Sequence, residues 1–314
     1  MVTALAREEL RRAAGNRPVV LTIGVFDGVH RGHQALLNRV MALAAINKMA
    51  SAVITFHPHP RSVIHPDQSS AYLTSFEDRL DLLRGLGLDD VAPVTFTSEL
   101  AQAEAEDFIR LVVEEMRLAI LVIGPDFALG RHRGGDVERL RSLGEELQFT
   151  VEVIDLVADA EAKVSSTEIR RALADGDVGR VAELLGRPFT LHGPVVVGFE
   201  RGQTIGFPTA NIAVGADRAL PAAGVYATVA SFDDRTFPSV SNIGVRPTFN
   251  DDDAPSVECH IFDFEGDLYH RDLRIELVER LRGERKFADI EALKVQISKD
   301  AVAARKVLAL RVKV

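Results

Sequence analysis

The chain has 314 residues, 46% hydrophobic and 26% charged, a globular composition with material for about two domains that excludes disorder and fibrous repeats. A formal net charge of −9 repels a phosphate backbone over most of the surface, so neither nucleic acid nor an anionic membrane is expected as a partner. One cysteine, Cys259, excludes an intrachain disulfide and a thiolate-cage zinc site; no apolar run is long enough to span a bilayer, and Met1 to Arg17 lacks the apolar centre of a signal peptide, so a cytoplasmic protein is expected.

Five short β-branched runs read as strands: Val19 to Ile23, Ala52 to Phe56, Val91 to Val94, Ile120 to Ile123 and Val151 to Ile154. Helical spacing fills the intervals, through Leu36, Leu37, Val40 and Leu43, then Phe76, Leu80 and Leu83, then Phe108, Leu111, Val112 and Met116, then Val137, Leu140 and Leu147. That βαβα order predicts a Rossmann-like parallel sheet with helices on both faces and ligands beyond the strands' C-terminal ends. Ile169 to Leu185 is helical and polar enough to carry a domain boundary, placed between 186 and 187. From there Gly and Pro punctuate short runs at Pro194 to Val197, Val225 to Ala230, Ser239 to Ile243, Val257 to Phe262 and Leu273 to Val278, predicting an antiparallel β domain, a barrel or a sandwich, of which the β-barrel is expected. A closing helix follows from Ile290, Leu293, Ile297, Ala301, Ala304 and Leu308.

The first strand runs into Gly24-Val25-Phe26-Asp27-Gly28-Val29-His30-Arg31-Gly32-His33 and then a helix. The glycines allow a tight turn, and the helix start offers unpaired N–H groups and a positive dipole end to an anion, with His30 and His33 adding ring donors. A metal cluster with His57 and His59 is an alternative, but no Cys or Glu stands nearby and a helix N-terminus favours phosphate over a cation. After the fifth strand, Lys163-Val164-Ser165-Ser166-Thr167-Glu168-Ile169-Arg170 opens another helix, so its hydroxyls either cap that helix or touch phosphate oxygens. In the second half, Gly198, Gly202 and Gly206 permit backbone approach to phosphates, while Thr209 and Asn211 present oxygens suited to Mg²⁺; a plain turn entering a strand is the alternative. In Val257-Glu258-Cys259-His260-Ile261, alternation puts Glu258 and His260 opposite Val257, Cys259 and Ile261, so Cys259 reads as core filling.

The first set of motifs, with Thr55-Phe56-His57-Pro58-His59-Pro60 and Gly124-Pro125-Asp126-Phe127, resembles the FMN adenylyltransferase module of bacterial bifunctional FAD synthetases, within the nucleotidylyltransferase superfamily. Gly-Phe-Pro-Thr-Ala-Asn, Pro221 to Ala227, Ser241 to Asn250, the Glu258 strand and Leu281-Arg282-Gly283-Glu284 before Lys286-Phe287 resemble the riboflavin kinase module. The resemblance implies that riboflavin is phosphorylated to FMN in the second half and FMN adenylylated to FAD in the first, each step using ATP and a divalent cation, Mg²⁺ by default. By matched position it implies catalysis by His30, His33, Arg170 and Glu258. It places ATP at Gly24, Phe26, Asp27, Gly32, Ser165, Ser166 and Thr167 in one module, and at Gly198, Gly202, Gly206, Pro208, Thr209 and Asn211 in the other. Mg²⁺ falls on Thr209 and Asn211, and flavin of the first module on Pro58, His59, Asp126 and Phe127. FMN's phosphate is already anionic and needs no general base, whereas a neutral ribityl alcohol does, which suits Glu258. Other readings stay open: one live module only, a flavin carrier without turnover, or another phosphorylated substrate for the first half. Oligomeric state is not legible.

Overall fold

The structure is a computed structural model that describes residues 3–68, 70–154, 164–198, 206–245 and 255–311. The chain divides into two compact units, Met1–Ser165 and Ser166–Val314. Each builds its own core.

In the first unit, β1 (Val19–Gly24), β2 (Ala50–His57), β3 (Asp90–Thr95), β4 (Leu118–Ile123) and β5 (Thr150–Val153) form a parallel sheet in the order β3-β2-β1-β4-β5. Alternation along β1 divides the core. Val19, Leu21 and Ile23 pack on one face with α1 (Ala4–Ala13), α6 (Ala105–Met116) and α7 (Val137–Leu147), whereas Val20 packs on the other with α2 (Arg31–Asn47) and α4 (Phe76–Gly85). Two short helices, α3 (Pro60–Ile64) and α5 (Ser98–Ala101), lie in the loops after β2 and β3. Because β1 connects to β2 on one side and pairs with β4 on the other, its C-terminal end lies at the switch point where such sheets open a crevice. The Gly24 to His33 turn starts there.

Helix α1 was not foreseen, because Met1 to Arg17 reads as charged; it is held through Glu9, whose carboxylate accepts from Thr95 N at 2.9 Å and Thr95 Oγ1 at 2.6 Å.

The second unit begins with α8 (Ser166–Asp175) and α9 (Val178–Leu185), where one helical run was expected. Gly176, at φ +77°, breaks it. Six strands follow: β6 (Phe189–Val196), β7 (Ala210–Ile212), β8 (Gly224–Phe232), β9 (Arg235–Val245), β10 (Pro255–Ile261) and β11 (Asp272–Gly283), closed into an antiparallel barrel in the order β10-β7-β6-β11-β8-β9. The interior takes Phe189, Leu191, Tyr226, Ile243, Val257, Cys259, Ile275 and Leu277, all nearly inaccessible. Polar residues inside are paired: Thr228 Oγ1 lies 2.8 Å from both Ser239 Oγ and Ser241 Oγ. Helix α10 (Ile290–Arg311) lays Ala304 and Leu308 against Val225, Ala227 and Val240 on the barrel's outer flank.

Candidate functional site

The first site is the turn between β1 and α2. Phe26, Gly28 and Val29 all have positive φ, at +55°, +82° and +39°, an uncommon conformation for a β-branched valine that only a strongly tied loop sustains. The ties are visible. Asp27, 3% exposed, accepts from Leu73 N at 3.0 Å and Thr74 N at 3.2 Å through Oδ1, while Gly28 N donates to Thr74 Oγ1 at 3.2 Å. Asp27, expected toward ATP, therefore holds the turn to the 73–74 segment with its carboxylate. Gly24 lies under the Phe26 ring, and a Cβ there would stand 3.0 Å from it.

His30 is the N-cap of α2, its Nδ1 accepting from His33 N at 3.3 Å, and the two imidazoles stack with centroids 3.6 Å apart. Phe26 meets His33 edge-on at 5.0 Å. Gly32 is required by this approach, since a Cβ would lie 3.3 Å from the His30 ring and 3.4 Å from Val164 O. Burial, followed by the charges of His30 and Arg79, pushes the His33 imidazole well below its ordinary pKa, so this ring is neutral at pH 7. Arg79 on α4 was not foreseen. It is 1% exposed and donates from Nη1 to Val25 O at 2.8 Å, the same carbonyl that accepts from Thr55 Oγ1 at 2.8 Å.

His57 stacks on Phe76 at 4.4 Å, and both line a cavity of about 370 Å³ with Glu9, Thr95 and Pro93. Pro58 follows His57 through a cis peptide bond, and His59 caps α3 by accepting from Arg61 N at 3.0 Å. Asp126 is exposed in the loop after β4, while Phe127 packs against the core of this unit. Ser165 is half-buried at the end of the first unit; Ser166, Thr167 and Arg170 belong to α8 and, by contacts, to the second. Among the described residues no group of three His, Cys, Asp or Glu side chains is placed to hold a metal, so the His57 and His59 cluster does not form with His30 and His33.

The second site lies on the barrel's flank. Register aligns Asn211 with Glu258, Glu258 with Asn242, Asn242 with Val225, and Val225 with Arg282, a row crossing β7, β10, β9, β8 and β11. All five line one cavity of about 660 Å³ between these strands and α10, together with Thr209, His260, Glu284, Lys286 and Phe287. Arg282 is fixed by Asp300 of α10, donating from Nε at 3.0 Å and from Nη2 at 2.7 Å, with the pair 12% and 7% exposed. His260 lies 2.8 Å through Nδ1 from Pro208 O.

A second cavity, of about 470 Å³, is lined by Gly198, Pro208, Thr209, Asn211, Cys259 and the 264–269 segment. Thr209 and Asn211 thus face both cavities. Gly198 makes this wall possible, because a Cβ there would meet Asn211 Nδ2 at 2.1 Å. Gly206 has φ +86°; Gly202 lies outside the described residues. Cys259 is 1% exposed with its thiol pushed up by burial, the reverse of an activated nucleophile. Asn242 and Arg282 lie within the motifs that carry the riboflavin kinase resemblance but have no role assigned there; strand register brings them into the Glu258 row.

Residues 13–168 match the family described as FAD synthetase, and residues 185–308 the family described as riboflavin kinase. A bifunctional riboflavin kinase/FMN adenylyltransferase of Escherichia coli (strain K12) is 38% identical over 287 residues, 91% of this chain and 91% of its own length. One of the same name from Pseudomonas fluorescens is 39% identical over 291 residues, covering 92% and 93%. A crystal structure named as a macrolide-efflux protein from Streptococcus pneumoniae is similar with a TM-score of 0.84 at 29% identity, over 94% of this chain and 96% of that one. Its name and the two family matches disagree about chemistry. No helix among the described residues here is long and apolar enough to cross a membrane.

Proposed function

Because this chain belongs to the bifunctional riboflavin kinase/FMN adenylyltransferase family, and so converts riboflavin to FMN and FMN to FAD, we propose a specific division of roles between its two sites. The flank of the barrel takes riboflavin in the 660 Å³ cavity and ATP in the 470 Å³ one. Their shared wall of Thr209 and Asn211 is where the γ-phosphate and the ribityl end meet. Glu258, directly across the strand pair from Asn211, takes the proton of the 5′-hydroxyl as its oxygen bonds to the γ-phosphorus and ADP departs. Thr209 and Asn211 offer two neutral oxygen ligands, a donor set that suits a hard divalent cation completed by ATP phosphate oxygens and water. When bound, such a cation, Mg²⁺ by chemistry, would neutralise phosphate charge there.

At the β1–α2 turn, an FMN phosphate oxygen attacks the α-phosphorus of ATP and pyrophosphate leaves. No base is required, since the nucleophile is already charged. The turn supplies the α2 N-terminus and the His30 and His33 rings. Arg170 and the hydroxyls of Ser165, Ser166 and Thr167 are assigned to phosphate by the motif they form. His33, being neutral, acts as a hydrogen-bonding group and not as a cation. Pro58, His59, Asp126 and Phe127 are assigned to FMN, and Gly24, Phe26 and Gly32 to the space for ATP. Asp27 is assigned to holding the turn. The functional boundary is assigned between 186 and 187, a reading supported by the riboflavin kinase match beginning at residue 185, and the buried lone thiol accords with a cytoplasmic enzyme.

The observation carrying this reading is the cavity wall shared by Thr209 and Asn211 with Glu258 in register beside it. Glu258→Ala abolishes FMN formation and leaves FAD formation from supplied FMN; His30→Ala or Arg170→Ala does the reverse. Either substitution stopping both reactions in a folded chain would refute the division.

A further inference from the structure

Arg79 is a buried cation with unused hydrogen-bonding capacity. Its Nη1 is spent on Val25 O at 2.8 Å and its guanidinium lies 5.3 Å from the Phe76 ring, but Nε and Nη2 are both buried and have no hydrogen-bond partner among the described residues. A guanidinium does not shed its proton to escape burial; the nearby Asp27 charge offsets part of the cost, and an arriving acceptor for the two remaining nitrogens, best an anion, offsets more. The direction it faces is set by its neighbours. It pins the residue that follows Gly24 in the β1–α2 turn, its charge acts on the His33 ring, and His33 Nδ1 is itself buried with no hydrogen-bond partner among the described residues. Two unsatisfied polar groups, one of them cationic, therefore border the same turn at the start of α2. Clamping Val25 accounts for one nitrogen of the guanidinium. It leaves the other two unexplained.

We propose that Arg79 is a substrate-phosphate ligand of the adenylyltransferase site, its Nε and Nη2 donating as a fork to an anionic oxygen beside His33. This rests on the FMN adenylyltransferase reading of the first unit. Planar two-point donation to phosphate is what distinguishes arginine from lysine. The oxygen comes either from the ATP phosphates that leave as pyrophosphate or from FMN, and kinetics separates the two.

The test uses the full chain supplied with FMN and ATP, so that riboflavin phosphorylation does not enter. Arg79→Lys keeps the charge and a donor for Val25 but removes the fork. In a variant whose thermal unfolding matches the unsubstituted chain, the ATP KM and the pyrophosphate inhibition constant rise tenfold or more if the oxygen belongs to the nucleotide. The FMN KM rises instead if it belongs to the flavin phosphate. Thr55→Val loosens the same Val25 carbonyl from its other side and is expected to change these constants less than threefold. Unchanged constants in folded Arg79→Lys, or an equal rise in Thr55→Val, would overturn the proposal and leave Arg79 as a clamp. A measurement without any variant guards against misfolding: the Nε–H resonance of a buried arginine moves when pyrophosphate or FMN is added. If no such resonance moves at saturation with both, the proposal fails. Failure of the unsubstituted chain to make FAD would sink the underlying reading and this proposal with it.

Discussion

The α/β unit presents its site at the open end of a sheet, through a strained turn, a helix start and two stacked imidazoles; the barrel presents its site on the flank of a closed sheet, through a carboxylate, two amides and an ion-paired arginine. The contrast follows the charge of the attacking group. A phosphate arrives ready to attack and needs to be held among positive dipoles, while an alcohol needs its proton removed, the role proposed for Glu258. The contrast extends to architecture. A turn can offer converging N–H groups, whereas a row across five strands spaces side chains at fixed intervals along two abutting ligands.

The comparison is broken most sharply at Glu258. Glu258→Gln keeps the shape of the side chain and removes the base, and riboflavin phosphorylation falls by about 10²–10⁴-fold while FAD formation from FMN is unchanged. Equal losses in both steps would mean that the two sites do not differ in this way. Next in size is Asp300→Asn, which leaves Arg282 with a neutral partner in a nearly buried pair; denaturant unfolding of the barrel loses about 3 kcal/mol, and riboflavin KM rises as the Arg282 end of the cavity loosens. Unaltered stability would show that α10 is not held to the barrel there. Gly198→Ala forces Asn211 out of the shared wall and raises the kinase KM for Mg-ATP about tenfold, with adenylylation unaffected.

The smallest effect belongs to His33. Its folded-state pKa is depressed, so the unfolded chain binds the extra proton as pH falls below about 6.5, and the α/β unit loses stability on acidification by at most about 1.4 kcal/mol per pH unit from this ring. In His33→Asn the dependence between pH 6.5 and 5 becomes shallower; an unchanged slope would contradict the burial of the ring.

Much of this was legible before any coordinates. The five parallel strands follow from β-branched runs, and the outward face of Glu258 follows from alternation with Val257 and Cys259. Strand β7 is legible only as the strand that a turn at Pro208 enters, because three residues are too few to show a period. The partners of Glu258 across the sheet were beyond reach, since register is fixed by closure of the barrel and not by any one strand. Arg79 was hidden for a related reason. It sits between Phe76 and Leu80 on a helix whose apolar spacing was read, and only tertiary burial shows that its charge turns inward.

A chromatographic time course of the purified chain with riboflavin, ATP and Mg²⁺ tests the two-site account most directly. FMN is predicted to rise first and FAD to follow at its expense, with pyrophosphate released only in the second phase. Absence of both products, or FMN that is never consumed while ATP remains, would contradict it.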